Sequence, residues 1–115
     1  MSLLADKIKR AREFRKEIEG WKLILRRPTD YERDKAFRKD DIDALDIAKM
    51  FVVGWEDVTE AKFIVSGSSD NLPFDPEAWA ELVQDLPELW SPITKAVIDS
   101  WVEYNERREG RRKNS

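Results

Sequence analysis

The chain has 115 residues, 41% apolar and 39% charged, which suits one small domain whose elements each keep a solvated face. It contains neither cysteine nor histidine, which excludes disulfides, thiolate ligands and cysteine nucleophiles and removes the commonest general base and zinc ligand. The net charge of −3 is segregated, with +6 on residues 1–39, −12 on residues 40–103 and +3 on residues 104–115. Such patches either neutralise one another within the fold or steer contact between copies. No apolar run reaches the roughly 20 residues of a membrane span, and "MSLLADKIKR" lacks a signal-peptide core, so the expectation is a soluble, cytoplasmic protein.

In chain order, Ser2 to Gly20 reads as one basic helix. Leu4, Ile8, Ala11, Phe14 and Ile18 fall at helical spacing, with Ser2 as N-cap and Gly20 as the stop. Its narrow apolar stripe packs on the body or on another copy, so Leu4, Ile8, Phe14 and Ile18 are candidate self-association residues. "WKLILRRP" is short, rich in large apolar residues and ends at Pro28, which predicts an extended segment. Thr29 and Glu32 form a capping box for the next helix, with Asp30, Glu32 and Asp34 near its start and Arg38 and Lys39 near its end. "DDIDALDIAKMFVV" follows as a central helix. Ile42, Leu45, Ala48 and Phe51 or Val52 set its stripe, and Ile47, Met50 and Val53 widen it. Gly54 then reads as a left-handed C-cap, with Trp55 just beyond the stop.

"AKFIV" is a candidate strand that could pair with "WKLIL", and "SGSSDN" is loop chemistry. Asp75–Pro76 opens a helix that Pro87 closes, and Ser91–Pro92 opens the last one. Trp79, Trp90 and Trp101 stand 11 residues apart, but Pro87 and Pro92 argue against one continuous helix beneath them. The elements sum to a mainly α protein. It is a small helical domain of about five helices over residues 1–110, with a flexible basic tail over 111–115, and 21–26 with 61–65 allow one short two-stranded hairpin.

Catalytic chemistry has little to stand on. Asp40, Asp41, Asp43 and Asp46 lack the glycine and closing glutamate of a calcium loop and serve better as caps and a solvated face. Phosphate-binding glycine loops and nucleophile elbows are missing from the sequence. The reading is a non-enzyme with no cofactor and no metal. The tail "NERREGRRKNS" has no aromatic for base stacking and follows an acidic body, so nucleic acid is not the expected partner. A small nucleic-acid-binding regulator using the basic N-terminal helix and tail is the alternative. Five Trp and five Phe are many for a thin core, and Trp is enriched at binding hot spots. Trp55 and Trp90, beside Gly or Pro breaks, are the leading protein-binding candidates, joined by Phe51, Arg26 and Arg27.

The succession of "LRRPTDYERDKAF", "IAKMFVVGWEDV" and "LPFDPEAWAELV" resembles the tail assembly chaperones of long-tailed bacteriophages related to lambda. The similarity covers Leu23 to Val83 and includes neither terminal helix. It implies a mostly helical protein that binds the tape measure protein, keeps it soluble and recruits tail tube subunits. It further implies action in the host cytoplasm, absence from the mature virion, spiral or ring-like multimers, and a longer frameshifted form as a further partner.

Overall fold

The computed structural model describes residues 2–36 and 43–113. Among them are five α-helices and one three-stranded antiparallel sheet in the order β1-β2-β3, so the protein is mainly α with a short hairpin at its centre. The helices are α1 (Leu3–Ala11), α2 (Asp30–Ala36), α3 (Ala44–Phe51), α4 (Pro76–Leu82) and α5 (Pro87–Lys113); the strands are β1 (Glu13–Ile18), β2 (Trp21–Arg26) and β3 (Val52–Glu56).

The N-terminal segment is a helix followed by a strand, not one long helix. Ser2 caps α1 as anticipated, its hydroxyl accepting from the Ala5 N–H at 3.1 Å. The helix ends at Ala11, where the Arg27 N–H reaches the Arg12 carbonyl at 2.8 Å and draws the chain into the sheet. Glu19 and Gly20 then form a two-residue loop with both φ positive, 51° and 82°, the backbone a tight hairpin requires. Phe14 and Ile18 therefore lie on β1, opposite Leu25 and Trp21. Their spacing of four satisfies a strand face as well as a helix face.

β2 is the extended segment expected at 21–26, and it alternates cleanly. Trp21, Leu23 and Leu25 are buried, while Lys22, Ile24 and Arg26 point to the other face. Its partners are β1 and β3, not residues 61–65. That segment instead holds a 3₁₀ turn, Glu60–Lys62, closed by the Ile64 N–H on the Glu60 carbonyl at 2.8 Å. Gly67 lies so close to this turn that a Cβ there would sit 2.7 Å from the Glu60 carbonyl carbon.

α3 passes directly into β3 at Val52. Val53 and Gly54 thus lie in a strand, and no left-handed cap ends the helix. Ile24 pairs with Gly54 and Leu25 with Val52, leaving Val53 as the extra residue of a bulge. Gly54 is needed for closeness: a Cβ would lie 2.9 Å from Ile24 Cδ1 and 3.2 Å from Ile24 Cβ. The start of α3 is capped by Asp43, which accepts from the Leu45 N–H at 3.0 Å. Arg38, Lys39, Asp40, Asp41 and Ile42, named above, lie with Phe37 outside the described residues.

One core unites these elements. Leu23, Leu25 and Val52 from the sheet meet Ile47, Ala48 and Phe51 of α3, Trp79 of α4, and Leu89, Ile93 and Val97 of α5. Asp75 and Pro76 open α4 as anticipated, with the Asp75 carboxylate accepting from the Glu77 and Ala78 N–H groups at 3.0 and 3.2 Å. The last helix, in contrast, starts at Pro87 and runs through Pro92 for 27 residues. Pro92 lies in the second turn, where its missing N–H forfeits a single ladder bond and the helix continues. Trp90 and Trp101 consequently share one helix face, about three turns apart. The α5 backbone also continues past Gly110 to Lys113, so residues 111–113 extend the helix.

Candidate docking surface

α1 is only weakly embedded among the described residues. None of its nine residues is buried, and Leu3, Leu4 and Ile8 remain 79%, 67% and 48% exposed. Leu4 and Ile8 stand one turn apart and form a ridge, with Ala11 continuing it. Asp6 in the first turn and Lys9 and Arg10 in the last complement the helix dipole, so the helix has local support independent of burial. Isolated helices this short are marginal in water, and an apolar ridge without cover is a common mark of a binding face.

The other proposed self-association residues sit elsewhere. Ile18 is buried in the core, and Phe14 is half-buried against it. Phe14 lines a groove of ≈ 670 Å³ between β1 and α5, together with Arg12, Lys16, Arg27, Asp99 and Glu103. Ile18 and Trp21 flank the two-residue loop, so alternate residues of β1 face β2. The backbone groups of Glu13, Arg15 and Glu17 therefore point away from β2 along an open edge, which the strand's charged side chains blunt.

The aromatic candidates are occupied within the fold. Trp55 is 7% exposed, packs edge-to-face on Phe74 at 4.9 Å, and donates its indole N–H to the Leu72 carbonyl at 2.9 Å. Phe51 is fully buried. Trp90 is half-buried and donates to the Val83 carbonyl at 2.7 Å, fastening α5 to the turn that precedes it. Trp79 donates to the Ala48 carbonyl at 2.9 Å and meets Trp21 edge-to-face at 6.1 Å, while Lys62 lies over the Trp21 ring. A large indole with an internal acceptor is a core residue with its polar atom satisfied, which removes Trp55 and Phe51 from any surface that can dock without unfolding.

Arg26 and Arg27 are likewise engaged. Arg26 grips the Glu32 carboxylate with two hydrogen bonds of 2.7 and 2.8 Å and lies over the Phe51 ring. Glu32 completes the expected capping box: its carboxylate accepts from the Thr29 N–H, and its own N–H donates to the Thr29 hydroxyl, both at 3.1 Å. The Arg26 contact, desolvation acting against it, and the Thr29 N–H together hold the Glu32 carboxyl below its usual range. Arg27 stacks on Tyr104 at 3.6 Å, and burial pushes its guanidinium below the ordinary arginine value. Asp30 accepts from Arg108 and from the Trp101 indole N–H, which lowers its carboxyl. These contacts brace α2 and α5 against one end of the sheet. The perturbed carboxyls serve that brace, and among the described residues no three acids are gathered as for a metal ion.

Sequence reasoning passed over one further exposed pair. Ile98 and Val102, each 41% exposed, stand one turn apart on the outer side of α5. They are visible in the sequence as apolar residues off the line of Ile93, Val97 and Trp101, but the helix start assigned to Ser91–Pro92 drew attention to the inner face. Among the described residues, no helix is long and apolar enough to cross a membrane. Compared with family models, curated proteins and solved structures, the chain has no match.

Proposed function

We propose that this protein is a self-associating, non-catalytic assembly factor that acts by docking apolar helical segments of other chains. The observation that carries this reading is α1, a capped amphipathic helix whose apolar ridge has no cover among the described residues. A protein that holds a client and later releases it needs modest interfaces with a few apolar anchors and a charged rim. Leu4 and Ile8 within a frame of Lys7, Lys9 and Arg10 have that composition.

The resemblance of "LRRPTDYERDKAF", "IAKMFVVGWEDV" and "LPFDPEAWAELV" supplies the proposed client. The chain would be a bacteriophage tail assembly chaperone that binds the tape measure protein, keeps it soluble and helps recruit tail tube subunits. Its place of action would be the host cytoplasm, before the virion is complete. Co-expression with a tape measure protein tests this directly. The client should move from the pellet to the soluble fraction with the wild-type chain and return to the pellet with Leu4→Glu/Ile8→Glu. Equal precipitation with and without the chain refutes the assignment. The nucleic-acid alternative draws on Lys7, Lys9 and Arg10, which have no ion-pair partner among the described residues, but Arg107 and Arg108 of the proposed basic tail are paired with Glu103 and Asp30. Retention on nucleic acid at physiological salt, with a steep salt dependence, would favour that alternative.

A further inference from the structure

We infer that the α1 ridge of one copy seats on the Ile98–Val102 ridge of α5 in a second copy, making a head-to-tail junction between unlike faces. This rests on the reading of the chain as a self-associating protein and names the two surfaces that would meet. Both ridges consist of branched apolar side chains one helical turn apart: Leu4 and Ile8 on one side, Ile98 and Val102 on the other. Rows of that spacing on two helices are the ridges that interlock when helices pack.

Charge selects this pairing over the others the molecule offers. α1 carries Lys7, Lys9 and Arg10, none of which is ion-paired among the described residues. Two α1 helices laid face to face would bring these cations together, and like charges across an interface are unfavourable. The α5 ridge has the opposite surroundings. Glu106 lies one turn and Glu109 two turns beyond Val102, and neither has a cationic partner among the described residues; Glu109 receives only a 3.4 Å contact from the Asn105 amide. Asp99, beside Ile98, is already neutralised by Lys95 at 2.6 Å. Among the described side chains, the apolar pair on α5 is thus rimmed by net negative charge, and the pair on α1 by net positive charge.

Two other exposed surfaces suit α1 less well. The groove between β1 and α5 is lined by Arg12, Arg15, Lys16, Arg27 and Arg107 against three acids, and its net positive charge repels a basic helix. Ile64 and Val65 are adjacent in a turn, so they present no helical ridge. Because the two faces of the junction differ, each copy offers one donor and one acceptor. Repetition then gives a ring if the rotation closes and an open helix if it does not.

A mixing experiment tests the junction. Leu4→Glu/Ile8→Glu spoils the donor face, and Ile98→Lys/Val102→Lys spoils the acceptor face. All four side chains are 41–67% exposed, so both variants should melt within a degree or two of the wild type. Each change removes apolar contact and adds a repelling charge, which should raise the junction's dissociation constant by about 100-fold or more. In sedimentation velocity at low salt, each variant alone should run as a monomer. An equimolar mixture should recover association, to at least a 1:1 dimer, because one good donor and one good acceptor remain. Persistent multimers of the α5 variant alone, or a mixture that stays monomeric, would overturn the proposal. Client solubility is a separate readout. A client that precipitates with the wild-type chain defeats the chaperone reading while a dimer in the mixture leaves the junction standing.

Discussion

Trp55→Ala separates a core role from a docking role at the residue where the sequence and the structure differ most sharply. The side chain is 7% exposed, sits opposite Leu23 in the sheet and caps its contacts with the Phe74 ring and the Leu72 carbonyl. Truncating a buried Trp costs about 3–5 kcal/mol through lost transfer energy and the residual cavity. The edge-to-face contact and the orphaned carbonyl are part of that cost, not additions to it. A loss of about 4 kcal/mol is a large share of the 5–15 kcal/mol typical of a domain. With an unfolding entropy of about 0.24 kcal/mol/K for 115 residues, it corresponds to a fall in Tm of about 15 °C. Urea denaturation followed by fluorescence, with sedimentation at matched concentration, reads both consequences. The expected result is a large drop in the urea midpoint, with association altered only where the variant unfolds. An unchanged midpoint together with lost association would refute the burial argument and return Trp55 to the surface. Trp55→Phe, which keeps a ring but loses the N–H donor, should cost about 1–2 kcal/mol.

Thr29→Ala should destabilise by about 1 kcal/mol in thermal melts, because it removes the hydroxyl that satisfies the Glu32 N–H; an effect near zero would mean the capping box is idle. The Glu32 carboxyl is held low by Arg26, so its contribution is present above the unfolded carboxylate value near pH 4.3 and is lost as pH falls through the lower folded value. For a half-buried pair screened by water, about 1 kcal/mol is expected. Glu32→Gln should flatten the acid limb of a stability-against-pH curve by that amount, and an unaltered limb would contradict it. Gly54→Val should destabilise by about 1–3 kcal/mol through overpacking against Ile24, with partial recovery in Gly54→Val/Ile24→Ala. A stabilised Gly54→Val would show that strand propensity outweighs the close contact. Trp79→Phe should cost about 1–3 kcal/mol by leaving the buried Ala48 carbonyl without its donor, measured by the same urea titration.

Features decided within a few residues are legible in the sequence. Ser2, the Thr29–Glu32 box and Asp75–Pro76 form the caps their chemistry announces. The extended segment at 21–26 is legible too, from its alternation of large apolar and polar residues. Features decided by distant partners are not. Leu4, Ile8, Ala11, Phe14 and Ile18 fit a helix throughout, and only pairing with β2 and the backbone of Glu19 and Gly20 turn the second half into a strand. Gly54 has the position of a helix stop, yet its function is to clear Ile24 on a neighbouring strand some thirty residues earlier in the chain. Pro92 forfeits one bond near the start of a helix whose inner face is held by Leu89, Ile93 and Val97 in the core. Trp55 and Trp90 count as docking candidates until their acceptors are known, and those acceptors are the backbone carbonyls of Leu72 and Val83. Leu4 and Ile8 are legible as an apolar stripe at helical spacing, but whether the body or another copy covers that stripe depends on packing the spacing does not encode.

The proposed function depends most on α1 being a docking element. Sedimentation velocity of the wild type and of Leu4→Glu/Ile8→Glu, over a wide concentration range at low salt, tests that most directly. The wild type should form multimers that grow with concentration and dissociate as salt rises, while the variant stays monomeric with an unchanged melting temperature. A wild type that remains monomeric throughout, or a variant that associates as the wild type does, would contradict it.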